Sequence, residues 1–76
     1  MKVLLETLAR GLVDDPSRVR VKEWTEEGIV HLDLQVSSED RGRVIGRKGR
    51  TADALRTILE AVAERRGTEC DMEVVG

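Results

Sequence analysis

The sequence has 76 residues, which corresponds to one small domain near the size at which a single hydrophobic core becomes marginal. It is 39% hydrophobic and 37% charged, and Trp24 is its only aromatic residue, so the core must be aliphatic. No apolar run approaches the roughly 20 residues that span a bilayer, and the N-terminus lacks the features of a signal peptide. The single cysteine cannot form an internal disulfide. We therefore expect a cytoplasmic protein without a membrane segment.

The formal net charge of −2 conceals one concentrated basic segment. Residues 41–50 carry five cations and no acid, whereas the rest of the chain carries 8 cations and 15 acids. The five cations are Arg41, Arg43, Arg47, Lys48 and Arg50. A mildly acidic protein with one local basic patch indicates a focused anion site, although a solvated surface helix would give the same charge count.

The first half of the chain predicts a helix followed by a β-hairpin. Apolar residues recur at helical spacing from Val3 to Val13 and predict an amphipathic helix that ends before Pro16. The alternating segments RVRVKEW and IVHLDLQV predict two strands, joined at TEEG by a turn that ends in glycine. We expect one face of this hairpin to be buried and the other, which carries Trp24 and His31, to be hydrated.

The second half predicts two helices and a last strand. The stretch Ser37-Ser38-Glu39-Asp40 offers a hydroxyl cap and first-turn acids, and the short helix that it begins reaches Ile45 at most. After the loop GRKG, a longer amphipathic helix is predicted to end at Gly67. Its apolar residues are Ala52, Leu55, Ile58, Leu59, Val62 and Ala63. The segment ECDMEVV alternates as a strand does, with Cys70 turned inward as a core residue.

These elements define an α+β fold with the order α-β-β-α-α-β. We expect a three-stranded mixed sheet with three helices packed on one face. The strands on either side of the helix pair should lie parallel and be joined by a right-handed crossover.

The loop GRKG (Gly46-Arg47-Lys48-Gly49) places two cations between two glycines. Glycine lets a phosphate approach the backbone because it has no Cβ, and a helix N-terminus presents unpaired N–H groups. Arg47 and Lys48 can add charge-assisted contacts to phosphate oxygens, which Arg50 and Thr51 can extend. Such a loop would bind a phosphate backbone without recognising the identity of a base. Taken alone, a GxxG pattern has a structural alternative, since its glycines also permit a tight turn between helices.

The segment DRGRVIGRKGRTADALRTIL resembles a K-homology (KH) domain, which carries a [Val/Ile]-Ile-Gly-x-x-Gly signature between two helices. The helix and strand before the β-α-α-β core match the prokaryotic type II KH arrangement. Over essentially all 76 residues, including VDDPSRV, the chain is similar to the bacterial single-domain KH proteins of the KhpA (YlqC-like) family. This resemblance implies one KH domain over residues 1–76, with a core at about 29–75 and an N-terminal helix-strand extension at 1–25.

The resemblance implies binding of single-stranded RNA, because the GxxG loop of KH domains clamps the backbone of about four nucleotides. The implied RNA-binding residues are Gly46, Arg47, Lys48, Gly49, Arg50, Thr51, Arg43, Val44, Ile45 and Arg41. Bases would lie over a groove beside the sheet edge, lined by Val44, Ile45, Ala52 and Leu55, unless Leu55 belongs wholly to the core. The family also implies an RNA chaperone or post-transcriptional regulator, a homodimer or a heterodimer with a second KH protein (KhpB, Jag-like), and roles in cell shape and division.

No pattern indicates an enzyme, a cofactor, a metal site or a small-molecule substrate. The glycine spacing fits neither the Walker loop nor the dinucleotide-binding motif, and the single histidine, His31, is interpreted as a surface residue with cross-strand contacts. Two alternatives to RNA binding remain open. One is a protein-interaction or dimerisation module, for which Trp24 is the best anchor if it lies exposed on the sheet. The other is binding of single-stranded DNA, which the sequence does not distinguish from RNA.

Overall fold

The computed structural model describes all residues, 1–76. The helices are α1 (Lys2–Arg10), α2 (Arg41–Ile45) and α3 (Arg50–Arg65), and the strands are β1 (Arg20–Glu26), β2 (Ile29–Gln35) and β3 (Glu69–Val75). Short 3-10 turns at Pro16–Arg18, Ser38–Asp40 and Arg47–Gly49 precede β1, α2 and α3. The predicted α+β class and the order α-β-β-α-α-β are confirmed. No helix combines the length and the apolar character that crossing a membrane requires.

The sheet has the strand order β1-β2-β3, with β2 at its centre. β1 runs antiparallel to β2, and β3 runs parallel to it, so the predicted mixed sheet is confirmed. Glu27 and Gly28 form the turn of the hairpin, and both have positive φ, at 51° and 78°, as a type I′ turn requires. The turn is shorter than the predicted TEEG because β1 continues through Thr25 and Glu26.

The hydrophobic core lies between one face of the sheet and the three helices. Every helix and strand contributes to it, because each element presents an apolar face at its own period. The buried cluster consists of Leu5, Ala9, Val19, Val21, Leu32, Leu34, Val36, Val44, Leu55, Leu59 and Met72.

Two helices depart from the predicted apolar patterns. α1 ends at Arg10 and does not reach Val13, because its last turn tightens when Leu12 donates its N–H to the Ala9 carbonyl. On α3, Ile58 is 42% exposed although its spacing predicted a core position. It lies about 100° around the helix from Leu59, at the margin of the buried stripe.

The opposite face of the sheet carries Trp24, whose ring stacks on His31 with the ring centroids 5.3 Å apart. The Lys22 ammonium lies 5.4 Å from the centroid of the Trp24 ring, and His31 Nδ1 lies 3.5 Å from a carboxylate oxygen of Asp71. Trp24 is half-buried by these neighbours and does not fold over the core. The interpretation of His31 as a surface residue with cross-strand contacts is therefore confirmed.

Candidate nucleic-acid interface

The GRKG loop makes a sharp turn between α2 and α3 on backbone with positive φ. Gly46 has φ 77°, Lys48 has φ 57° and Gly49 has φ 75°. Gly46 donates its N–H to the Gly42 carbonyl at 2.8 Å, which ends α2, and Gly49 donates to the Gly46 carbonyl at 3.1 Å. α3 then begins at Arg50, so the loop leads directly into the N-terminus of a sixteen-residue helix.

Gly46 is required by packing as well as by its backbone angle. A Cβ at this position would overlap the hydroxyl oxygen of Thr51 and lie 2.8 Å from the Thr51 backbone nitrogen. At Gly49, by contrast, a Cβ would meet nothing within 4 Å. The first glycine therefore allows α2 and α3 to approach closely, whereas the second leaves open space at the outer side of the loop.

Replacing Gly46 by alanine is expected to lower the free energy of unfolding by about 2–4 kcal/mol, because its backbone (φ 77°, ψ 171°) lies in a region that is essentially restricted to glycine and because the added Cβ would overpack against Thr51. The comparison variant Gly49→Ala carries the milder strain of a left-handed helical backbone (φ 75°, ψ 11°) and no clash, so it should lose about 1–2 kcal/mol. Urea unfolding followed by circular dichroism compares the two. Equal losses would mean that the close approach to Thr51 does not constrain the loop.

Three cations at this end of the molecule have no acidic partner. Arg47, Lys48 and Arg50 are exposed, and none of them makes an ion pair. They surround the start of α3, where the first backbone N–H groups lack intrahelical partners and the helix dipole is positive. Side chains, backbone and dipole therefore all favour an anion at the GRKG loop.

The other two cations of the basic segment are less available to a ligand, because Arg43 forms ion pairs within the protein and Arg41 is partly buried. A terminal guanidinium nitrogen of Arg43 lies 3.0 Å from a carboxylate oxygen of Asp14, and its Nε lies 3.8 Å from Asp40. Arg41 is half-buried, and its Nε is buried without a hydrogen-bond partner. The charge available to a ligand at the loop is thus smaller than the sequence count of five cations.

The apolar residues expected to line a groove divide between core and surface. Val44 is fully buried, and Ala52 and Leu55 are also part of the interior. Ile45 is 36% exposed. Of these side chains, Ile45 alone offers an apolar surface beside the GRKG loop.

Asp40 is a buried carboxylate that the sequence does not reveal. It is 2% exposed and accepts the backbone N–H groups of Asp14 and Asp15, each at 3.1 Å, and the Ser37 hydroxyl at 2.9 Å. The predicted hydroxyl cap is wrong: Ser37 makes no capping bond to the helix and donates to Asp40 instead. The backbone N–H of Asp14 lowers the pKa of Asp40 despite its desolvation, and the backbone N–H of Asp15, the Ser37 hydroxyl and the charge of Arg43 act in the same direction.

Cys70 lies half-buried on β3, away from the loop. Burial, together with the charges of Asp71 and Glu60, raises the pKa of its thiol, which disfavours the reactive thiolate. No group of histidine, cysteine and acidic side chains is arranged to hold a metal ion.

Comparison of the chain with known proteins identifies its family. The family model for the KH domain of KhpA/KhpB matches residues 2–74. A protein of Clostridium acetobutylicum named "RNA-binding protein KhpA" is 45% identical over 75 residues, which cover 99% of this chain and 100% of that protein.

Two further proteins with the same name come from other organisms. The one from Treponema pallidum is 46% identical over 95% of this chain and 90% of its own length. The one from Aquifex aeolicus is 40% identical over 99% of this chain and 95% of its own length. No solved structure shows a significant match. The family is not an enzymatic one, and on these matches the chain belongs to the KhpA/KhpB family of KH domains.

Proposed function

We propose that this protein binds single-stranded RNA in the cytoplasm by clamping the phosphate backbone with the GRKG loop. One observation carries the proposal: Arg47, Lys48 and Arg50 form an exposed, unpaired set of charges at the N-terminus of α3. Relatives that match along nearly their whole length and are named RNA-binding proteins support it.

The geometry suggests how the clamp would work. A phosphate can approach Gly49 closely, because open space lies where another residue would carry its Cβ. Arg47 and Lys48 would then donate charge-assisted hydrogen bonds to the phosphate oxygens, while Arg50 and the first N–H groups of α3 add to the field. Phosphate contacts position a strand and do not specify its bases. We therefore expect modest affinity and low sequence selectivity.

A grip of this kind suits an RNA chaperone or a post-transcriptional regulator, since either must act on RNAs of different sequence. A bound strand would meet one exposed apolar side chain, Ile45, next to the clamp. Base contacts would have to come from there or from a second KH protein acting alongside.

Fluorescence anisotropy with a short unstructured RNA over a salt series tests the proposal. Three free cations predict about three phosphate contacts, and hence a slope of log affinity against log salt near −2. Single-stranded DNA of the same sequence should compete less well if the protein contacts 2′-hydroxyl groups. A flat salt dependence, or no binding at low salt, would count against a phosphate clamp.

A second candidate function is protein interaction, through a homodimer or a second KH protein. Ile58 favours it, because this exposed side chain lies on α3 between the exposed Ala54 and Ala61, one turn away on either side. An apolar helix face with small flanking residues suits contact with another helix. Analytical ultracentrifugation at rising concentration tests it, with Ile58→Glu as the variant that should return any dimer to monomer.

A further inference from the structure

One buried carboxylate fastens the loop between α1 and β1 to the start of α2. Asp40 Oδ1 accepts the backbone N–H of Asp14, and Oδ2 accepts that of Asp15 and the hydroxyl of Ser37. Both oxygens are thus used, in a side chain that is almost completely buried. The backbone that carries Asp14 is therefore held in a fixed position relative to α2.

This fixed loop brings an exposed carboxylate to Arg43. The two side chains meet at 3.0 Å, and both are largely exposed to solvent. Exposed ion pairs contribute little to stability, because water and salt screen them, so this pair can be exchanged for another. A phosphate that is to use Arg43 must displace Asp14, and the Asp14 charge repels it as it approaches.

We propose that Asp14 withholds Arg43 from the RNA backbone and so keeps RNA affinity below the level that the basic segment could support. The inference rests on the proposed RNA-binding function and deepens it by assigning an opposing residue to the same site. Arg43 precedes Gly46 by three residues, about one helical turn, so a strand leaving the clamp along α2 would reach it. Its neighbours Arg47 and Lys48 have no such acidic partner.

The variant Asp14→Asn tests this inference. It keeps the backbone N–H that Asp40 accepts and removes the carboxylate charge nearest to Arg43, while the longer 3.8 Å contact of Arg43 with Asp40 stays in place. We expect affinity for a short unstructured RNA to rise roughly fivefold at about 50 mM salt, and the salt slope to steepen by about 0.7, the value of one phosphate contact. Adding Arg43→Gln to Asp14→Asn should remove the gain.

The control variant is Glu39→Gln, which makes the same change in net charge. Glu39 is exposed and lines the same surface cavity as Asp14, but it makes no ion pair. It should leave the salt slope unchanged, so a steeper slope in Asp14→Asn alone reports the release of Arg43. Comparison of the double variant with wild type and with the single variants Asp14→Asn and Arg43→Gln gives the coupling between the two side chains.

The outcomes separate this inference from the proposed function. If Asp14→Asn behaves like wild type or like Glu39→Gln, the inference is overturned; weaker binding also overturns it, because Asp14 would then hold Arg43 in a productive position. None of these results bears on the clamp, provided that the charge-reversal variant Arg47→Asp/Lys48→Asp no longer binds RNA. If that reversal leaves binding intact, the clamp fails, while a steeper slope in Asp14→Asn still supports the release of Arg43. Absence of binding by every variant would overturn both.

Discussion

Reversal of the two loop cations, in the double variant Arg47→Asp/Lys48→Asp, is expected to reduce RNA affinity at least about 100-fold at low salt, since two phosphate contacts are lost and replaced by repulsion. The fold should be retained. Both side chains are exposed and make no ion pair, so no packing depends on them. Lys48 has φ 57°, and aspartate tolerates left-handed backbone better than most residues do.

Fluorescence anisotropy over a salt series measures the loss of RNA affinity, and circular dichroism with thermal unfolding verifies that the variant is folded. The matched control is Arg65→Asp/Arg66→Asp, which makes the same change in net charge at the other end of α3. That end lies about 22 Å from Arg50 along the helix, beyond the Debye length at about 0.1 M salt. If the control loses as much affinity as the loop variant, overall charge and not the clamp governs binding. If the loop variant binds like wild type, RNA is bound elsewhere on the protein.

The architecture was largely predictable from the sequence, because almost every element buries one face at its own period. The alternation of Val30, Leu32 and Leu34 in β2, and of Cys70, Met72 and Val74 in β3, predicted both the strands and their inward faces. The parallel pairing of these strands followed from the helix pair between them. The GRKG loop was equally predictable from the sequence, since its glycines and cations are adjacent in the chain.

The parts that sequence reasoning missed depend on contacts between distant segments. Asp40 looks like an ordinary first-turn acid, and its burial depends on backbone N–H groups 25 and 26 positions earlier in the chain. Arg43 counts as a free cation until the fold brings Asp14 beside it. Which member of the pair Val44 and Ile45 faces the core is decided by how the five-residue α2 packs. None of these facts has a local pattern that could reveal it.

The fold leaves only part of the basic segment available to a ligand. The sequence shows five cations in ten residues, yet the fold leaves only Arg47, Lys48 and Arg50 exposed and unpaired. The same acidic loop that is fixed by Asp40 also engages Arg43. Scaffold and site therefore share residues, and a change at Asp40 should affect both.

Asp40→Asn is accordingly expected to lower the melting temperature by about 10 °C, because an amide cannot accept both backbone N–H groups and the Ser37 hydroxyl as the carboxylate does. Thermal unfolding at neutral pH measures this loss. Glu39→Gln is the control: the neighbouring acid is exposed and makes no ion pair, so its melting temperature should stay close to that of wild type.

The stability lost in Asp40→Asn should also depend on pH, and the shift in the Asp40 pKa determines the direction of that dependence. The Asp14 N–H, with the other donors and Arg43, lowers this pKa below its ordinary value in the folded protein. A carboxylate of this kind stabilises the fold fully above its unfolded-state pKa, and the contribution is lost as pH falls through the folded value. The difference in unfolding free energy between wild type and Asp40→Asn should therefore be constant from about pH 5 to 8 and shrink below about pH 4. Were the difference to stay constant down to pH 2, the ionised carboxylate would not be what holds the loop to α2.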